Sequence, residues 1–231
     1  MTALRSVTNR AMRFARENGL VLVMLAVFAA CMVGQILAGW GAWNEDLARQ
    51  GAAAIGLTAY LGSGHFISAV FENWESEFLQ MAMYVTLTIW LRQRGSPESK
   101  PMEGEDEVDA DPRDHVGDPN APWPVRRGWA ILLTLYSHSL SITLIILFVA
   151  SFVLHLFGSL QLANDEATAL GQPLETALQH LASPQFWFES FQNWQSEFFA
   201  LGVFIWLTVV LRQRGSAESK PVAAPNNETG R

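Results

Sequence analysis

An internal repeat with a fixed offset of 120 residues limits what this chain can fold into. Residues 71–101 return as residues 191–221, and 18 of these 31 positions are identical. FENWESEF in the first copy becomes FQNWQSEF in the second, and LRQRGSPESKP becomes LRQRGSAESKP. A long repeat of this kind indicates that one structural unit is used twice.

Each copy contains two apolar stretches that could cross a lipid bilayer, which takes about 20 predominantly apolar residues. Residues 20–40 and 140–160 contain no Asp, Glu, Lys or Arg. Residues 74–91 and 194–211 are less apolar, because each carries Glu near its start. The sequence therefore predicts an all-α integral membrane protein whose four transmembrane helices come from two tandem two-helix repeats of the same orientation.

The basic residues predict how these spans are oriented. Of 15 Lys and Arg residues, 14 fall on one side of a four-span arrangement, and only Arg49 falls on the other. Positive residues near span ends stay in the cytoplasm. Both termini are therefore predicted to be cytoplasmic, with the loops at 41–73 and 161–193 outside.

The chain is predicted to divide into four parts, the repeats being residues 1–94 and 125–215. The linker between them, residues 95–124, holds nine acidic and two basic residues, so its charge of −7 equals that of the whole protein. Such a composition buries too little apolar surface to order itself, which predicts a disordered linker. Residues 216–231 are predicted to form a flexible tail.

The loops on the outer side contain signals for helix ends. Asn44 and Asn164 precede acidic residues and are predicted to cap short helices that end at a glycine seven residues later. Ser183 precedes a proline, and Ser63 takes the same place in the first copy. We expect a helix to begin after each serine and to continue into the membrane.

One polar helix face is kept in both copies and is the candidate site. At 100° per residue, the side chains on the second span of each copy fall within about 60° of one another. In the first copy they are Asn73, Glu77, Tyr84 and Thr88, with Ser76 nearby, and in the second Asn193, Glu197, Phe204 and Thr208, with Ser196 nearby.

Two interpretations of this face stay open. Glu77 and Glu197 could form a paired carboxylate site for a proton, a cation or a basic ligand, because ionisable groups in a membrane face the bundle interior or a wet cavity. The same residues could form a hydrogen-bonded clasp between helices. Glu72 and Glu75 lie on the opposite face and become Gln in the second copy, so we expect them to meet water or headgroups.

Other chemistry finds little support. His138 and His155 are about 25 Å apart along one helix, and the other histidines are spread over loops and linker, so they are not expected to form a site. No zinc spacing, phosphate loop or nucleophile motif occurs. We therefore expect no enzyme activity, no cofactor, no metal and no nucleic-acid partner. Cys31, the only cysteine, cannot form an internal disulfide.

Four strings carry a resemblance to a known family. They are RENGL at 16–20, SGHF at 63–66, FENWESEFLQ at 71–80 and LRQRGS at 91–96. With them the chain resembles an uncharacterised family of bacterial membrane proteins, domain of unknown function 6766. The resemblance implies a multi-pass protein of the bacterial inner membrane, and it implies no activity.

Two functions are compatible with these observations. The first is a non-enzymatic scaffold or accessory subunit that lies in the lipid bilayer and binds a membrane protein or a second copy of itself. The alternative is a small proton or cation transporter or channel that uses Glu77 and Glu197.

Overall fold

A computed structural model describes residues 10 and 12–230, and all regular structure in this part of the chain is helical. Arg5 and Arg231, two of the basic residues predicted to be cytoplasmic, lie outside the described residues. The long helices are α1 (Gly19–Arg49), α3 (Gly64–Leu87), α6 (Ser139–Ala169) and α8 (Pro184–Val210). The short helices are α2 (Leu57–Leu61), α4 (Trp123–Arg127), α5 (Ala130–Ser137) and α7 (Ala177–Leu181), with 3₁₀ turns at Glu107–Asp109 and Pro112–His115.

Two of the described helices, α1 and α6, are long and apolar enough to cross a membrane. The four-span prediction is thus supported for one helix of each copy. In α3 and α8 the polar residues of the N-terminal halves reduce the apolar character, although both helices exceed 20 residues. None of the residues of α1 is buried.

The chain divides into two compact units between Phe66 and Ile67, inside α3. In the first unit, Tyr60 of α2 is 1% exposed and lies against α1 at Gly39, where a Cβ atom would overlap the Tyr60 hydroxyl. The Trp40 indole Nε1 donates to the Ile55 carbonyl at 2.7 Å, and the rings of Trp43 and His65 stack 4.8 Å apart. These contacts hold the loop after α1 against the helix.

In the second unit, α3, α6 and α8 pack on one another. The backbones of α6 and α3 approach so closely at Gly158 that a Cβ atom there would lie 2.6 Å from the Ser68 nitrogen. Gln80 Nε2 on α3 donates to the Glu197 carbonyl on α8 at 2.6 Å. Phe186, at the start of α8, is fully buried. This three-helix packing positions the polar side chains described below.

The predicted caps at Asn44 and Asn164 are wrong, because both residues lie inside long helices that continue to Arg49 and Ala169. The Asn44 amide instead holds the following loop, accepting from Ile55 N at 2.7 Å and donating to Ile55 O at 3.1 Å. Asn164 makes the same two hydrogen bonds to Glu175, at 2.7 and 3.1 Å. A side-chain amide that pairs with a backbone amide resembles a cap in sequence but closes a loop in the fold.

The predicted helix starts are confirmed. The Ser183 hydroxyl accepts from Phe186 N at 3.2 Å at the start of α8, and the Ser63 hydroxyl accepts from Phe66 N at 3.3 Å at the start of α3. Each helix then continues without a break through most of the predicted second span.

The repeated RQRGS segments form the same turn. Gly95 and Gly215 both adopt φ of +85°, a conformation that favours glycine. The backbone amide of Gln93 donates to the Ser99 hydroxyl at 3.0 Å, and the backbone amide of Gln213 donates to the Ser219 hydroxyl at 2.9 Å. The disorder of the linker and the flexibility of the tail stay predictions.

Candidate functional site

The second unit contains a chain of hydrogen-bonded ionisable side chains, which we term the Glu–His network. It joins four helices and the loop before α7. Its members are Glu75 on α3, His155 and Ser159 on α6, Glu175 in the loop, His180 on α7 and Glu189 on α8.

His155 is the centre of the network. Its Nδ1 lies 3.0 Å from Glu75 Oε2, and its Nε2 lies 3.3 Å from Glu189 Oε2. His155 and Glu75 are completely buried. The Phe186 ring stacks on the imidazole at 4.9 Å between centroids, which keeps water from that face. An ionisable triad in such a place must be paired to be tolerated.

Ser159, one helical turn after His155, extends the network to the loop. Its hydroxyl donates to Glu189 Oε2 at 2.7 Å and lies 2.8 Å from His180 Nε2. The other nitrogen of that ring, Nδ1, lies 2.9 Å from Glu175 Oε2. The Glu175 side chain is 46% exposed, whereas that of Glu75 is fully buried. The network therefore leads from solvent to the middle of the helix packing.

Neighbouring side chains fix the carboxylates of the network. The Trp194 indole Nε1 donates to Glu75 Oε1 at 3.1 Å, and Gln185 Nε2 donates to Glu189 Oε1 at 2.8 Å. Beside them, Glu72 accepts hydrogen bonds from the side chains of Gln192 and Asn193. With both oxygens of Glu75 and of Glu189 engaged, neither carboxylate can rotate freely.

This arrangement can pass protons. Each of its five hydrogen bonds joins two groups that can both donate and accept, because a carboxyl, an imidazole and a hydroxyl each exist in a form that does either. A proton taken up at Glu175 can therefore shift the proton of every bond by one place and end on the Glu75 carboxylate.

The first copy lacks this chemistry at the equivalent positions. Five network residues are replaced there by groups that do not change charge near neutral pH. In order, Gln35, Gly39, Ile55, Tyr60 and Ala69 stand where the second copy has His155, Ser159, Glu175, His180 and Glu189. The sixth residue, Glu75, belongs to the first copy, and its equivalent is Gln195.

The first unit contains one histidine, His65, close to the equivalent positions. The Tyr60 hydroxyl lies 3.3 Å from His65 Nδ1. Burial lowers the pKa of His65, and the nearby charge of Asp46 opposes that effect only in part. The neutral form of this ring is thus favoured, unlike an imidazole held between two carboxylates.

The residues predicted from the conserved polar face lie elsewhere on α3 and α8. Glu77 is exposed, Glu197 is half-buried, and the two are close enough for their charges to repel. The hydroxyls of the face bond to backbone carbonyls of their own helices: Ser76 to Asn73, Thr88 to Val85, Ser196 to Asn193 and Thr208 to Ile205. The Asn73 amide bonds to Ala69 O in the same way.

Of the predicted face, Asn193 contacts the network, since its amide donates to the Glu189 carbonyl at 3.2 Å and also to the Glu72 carboxylate. Whether Glu77 and Glu197 are functional stays a prediction. One related prediction is wrong, because Glu75 is buried and does not meet water. His155 and His180, which were expected to form no site, lie in one hydrogen-bonded network. The helix spacing gave the face of Glu75 correctly, but only the packing shows that α6 and α8 cover that face.

A signal for the network existed in the sequence. Ionisable residues that one copy has and the other lacks mark it, whereas our interpretation gave weight to polar residues that both copies keep. His155 and Ser159, four residues apart in a stretch of α6 without Asp, Glu, Lys or Arg, also share one helix face.

Metal binding finds no support in the described residues, where no group of three or more His, Cys, Asp and Glu side chains could hold an ion. The acids and histidines of the network alternate along a line and do not converge on one point.

Comparisons with known proteins show the family of this chain. No curated protein and no solved structure matches it. The strings FENWESEFLQ and LRQRGS, on which the resemblance rested, lie on α3 and in the turn after it. The chain belongs to the family described as Domain of unknown function (DUF6766), whose model matches residues 11–231.

Proposed function

We propose that this protein is a four-span protein of the bacterial inner membrane that transfers protons through the Glu–His network, as a small proton transporter or channel. The observation that carries the proposal is the fully buried His155 held between Glu75 and Glu189. Ionisable residues inside membrane bundles are costly and mark proton and ion pathways.

The position of the network fits transfer from the outer side. In the four-span arrangement Glu175 and His180 lie in the second outer loop, and His155 lies near the outer end of the third span. The network thus leads from the outer surface inward and ends at Glu75. The carboxylates of Glu77 and Glu197 lie further along α3 and α8. They are the alternative location for proton transfer.

Proton flux into liposomes tests the proposal. The purified protein is reconstituted with a pH-sensitive dye inside, and a pH gradient is applied. We expect Glu75→Gln and His155→Gln to reduce flux to the level of empty liposomes, because each removes a group that must both take up and release a proton. Glu166→Gln, an exposed carboxylate on the same helix as His155, serves as the control and should keep the flux.

Two results would overturn the proposal. One is wild-type flux no greater than that of empty liposomes. The other is flux that survives Glu75→Gln and His155→Gln but is lost in the Glu77→Gln/Glu197→Gln double variant, which would assign the transfer to the carboxylate pair.

The topology is tested separately with reporter fusions. Fusions after Asp109 and Pro221 should behave as cytoplasmic proteins, and fusions near Gly51 and Gly171 should be exported, because the basic residues retain their flanks inside. An exported linker would contradict the four-span arrangement.

A second candidate function, a non-enzymatic scaffold or accessory subunit, is favoured by α1. Residues 20–40 of this helix contain no Asp, Glu, Lys or Arg, and none of the residues of the helix is buried. Such a helix could pack on a partner membrane protein or on a second copy of the chain. Crosslinking in the native membrane followed by purification tests it, since a defined partner linked through α1 is the expected result and links to lipid alone would contradict it.

A further inference from the structure

The RQRGS turns of the two copies have nearly the same sequence and different surroundings. Residues 91–101 and 211–221 are identical at all positions but one, and Gly95 and Gly215 adopt the same φ of +85°. Gly95 is nevertheless buried, whereas Gly215 is exposed. Because the turns themselves hardly differ, the difference must come from what lies on them.

The C-terminal tail covers the first turn. The Thr229 hydroxyl accepts from Gly95 N at 2.8 Å, and Gly230 N donates to the Ser96 carbonyl at 3.0 Å. A Cβ atom at Gly95 would overlap the Asn226 carbonyl. Gly230 adopts φ of +84°, a conformation that favours glycine. The first turn is therefore a binding site for a peptide segment in which a hydroxyl residue is followed by glycine.

Lys220 holds the tail in this position. Its Nζ donates to the carbonyls of Pro225, Asn226 and Glu228 at 3.2, 3.0 and 3.1 Å, and the residue is only 3% exposed. Hydrogen bonds from a charged donor are stronger than those between neutral groups. The tail thus leaves the second turn, is fixed by Lys220 and ends on the first turn.

The second turn offers the same groups to a segment from elsewhere. An open cavity of about 520 Å³ lies against it, lined by residues 213–216 and 219–222. A Cβ atom at Gly215 would meet nothing within 4 Å. In the described part of the chain, neither the Gly215 amide nor the Ser216 carbonyl has a hydrogen-bond partner. The two groups that bind the tail in the first copy are thus accessible in the second.

This chain has no second segment of the required kind. Thr229-Gly230 is the only Thr-Gly pair in the sequence, and the linker at residues 95–124 contains no threonine. A second copy of the chain could supply the pair only by releasing the same hydrogen bonds from its own first turn, so no bond would be gained. A segment that fits the second turn therefore has to come from a different protein.

We propose that the second RQRGS turn binds a segment of a partner protein in which a threonine or serine is followed by glycine. The hydroxyl of the segment accepts from Gly215 N, and its next amide donates to the Ser216 carbonyl, as the tail does on the first turn. In the four-span arrangement this turn lies on the cytoplasmic side, so the partner segment is cytoplasmic. The site does not depend on proton transfer.

Hydrogen exchange of the full-length protein in lipid nanodiscs tests the proposal, with a synthetic peptide of residues 222–230 as the probe. Without the peptide, the fragment that contains Gly95 should exchange more slowly than the one that contains Gly215, because only the Gly95 amide is hydrogen-bonded. At millimolar concentration the peptide should slow exchange at Gly215 in a saturable manner and leave exchange at Gly95 unchanged.

Three changes locate the binding. A peptide with Thr229→Val should bind about fivefold more weakly, because one hydrogen bond is lost. Gly215→Asn in the protein should abolish binding, because asparagine tolerates a positive φ and its side chain takes the place of the segment. Gly104→Asn, at a linker glycine with φ of +88° and open surroundings, is the matched control and should bind as the wild type does. Equal melting temperatures of the two protein variants confirm that Gly215→Asn is folded.

Three outcomes contradict the proposal. They are unchanged exchange at Gly215 at every peptide concentration, slowed exchange that persists in folded Gly215→Asn, and equal affinity for the peptide with Thr229→Val. The measurement needs no proton gradient, so its failure is distinct from a failure of the flux experiment.

Discussion

The junction between the first long helix of each copy and the loop that follows it occurs twice in this protein, once with a tyrosine and once with a histidine. In both copies an asparagine of the long helix pairs with a loop amide, at Ile55 or Glu175, and a serine begins the next helix. Tyr60 fits the first junction because Gly39 leaves space for its ring. His180 is smaller, and Ser159 fills the difference with a hydroxyl that bonds to it.

The comparison shows that the two copies can differ in their interior side chains and share the hydrogen bonds that close the loop. The hydrogen bonds that close the loop involve backbone atoms, so they constrain few side chains. The interior side chains can then differ between the two copies in pairs that compensate for each other. In the second copy several of them are ionisable. Substitutions in the two copies test whether the loop-closing hydrogen bonds and the interior side chains vary independently of one another.

The largest effect should come from His155→Leu. It leaves the buried Glu75 and the half-buried Glu189 without their shared partner, and breaking a buried ionic group costs about 3–5 kcal/mol. The equivalent change in the first copy, Gln35→Leu, should cost less than about 1 kcal/mol, because no buried charge depends on Gln35. Thermal and denaturant unfolding in detergent measures both, and equal losses would contradict the asymmetry.

The second effect concerns the compensating pairs. Gly39→Ser should destabilise the first junction by about 1–3 kcal/mol, since the added atoms overlap the Tyr60 hydroxyl. Adding Tyr60→His should recover most of that loss, because it recreates the pair found in the second copy. If the double variant is no more stable than Gly39→Ser alone, the two junctions do not have the same backbone arrangement.

The third effect should be equal in the two copies. Asn44→Ala and Asn164→Ala each remove two hydrogen bonds to a loop amide, at a cost of about 1–2 kcal/mol. Hydrogen exchange should show faster exchange at Ile55 in the first variant and at Glu175 in the second. A loss of stability confined to one copy would show that the loop-closing hydrogen bonds also differ between the two copies.

The smallest effect is expected for Glu77→Gln, which should change stability by less than about 0.5 kcal/mol, as for other exposed positions. Its charge is repelled by Glu197, so neutralising it removes no favourable ion pair. Glu77→Ala should be similar. Destabilisation by either change, measured by unfolding in detergent, would support the interhelical clasp that the sequence suggested.

The sequence predicted the features that depend on local rules. Helix starts at Ser63 and Ser183 follow from serine hydroxyls that accept the first free amides. The apolar runs that become α1 and α6 follow from composition over one helix length.

The predictions failed where a residue's role depended on a distant partner. Asn44 was predicted to cap a helix because a cap and a loop clasp use the same side-chain oxygen. Glu75 was predicted to meet water because helix spacing gives the direction of a side chain and not what covers it. His155 was considered apart from His180 because the residues that link them, Ser159 and Glu189, carry no motif.

The sequence by itself determined that residues 71–101 recur as residues 191–221, that the chain contains helices apolar enough for a membrane, and that helices begin after Ser63 and Ser183. These properties depend on composition and on neighbours within a few residues. Only the tertiary structure decided that Glu75, His155 and Glu189 meet in a buried network. The two contacts of His155 join residues 80 and 34 positions apart in the chain, and such contacts exist only once α3, α6 and α8 pack together.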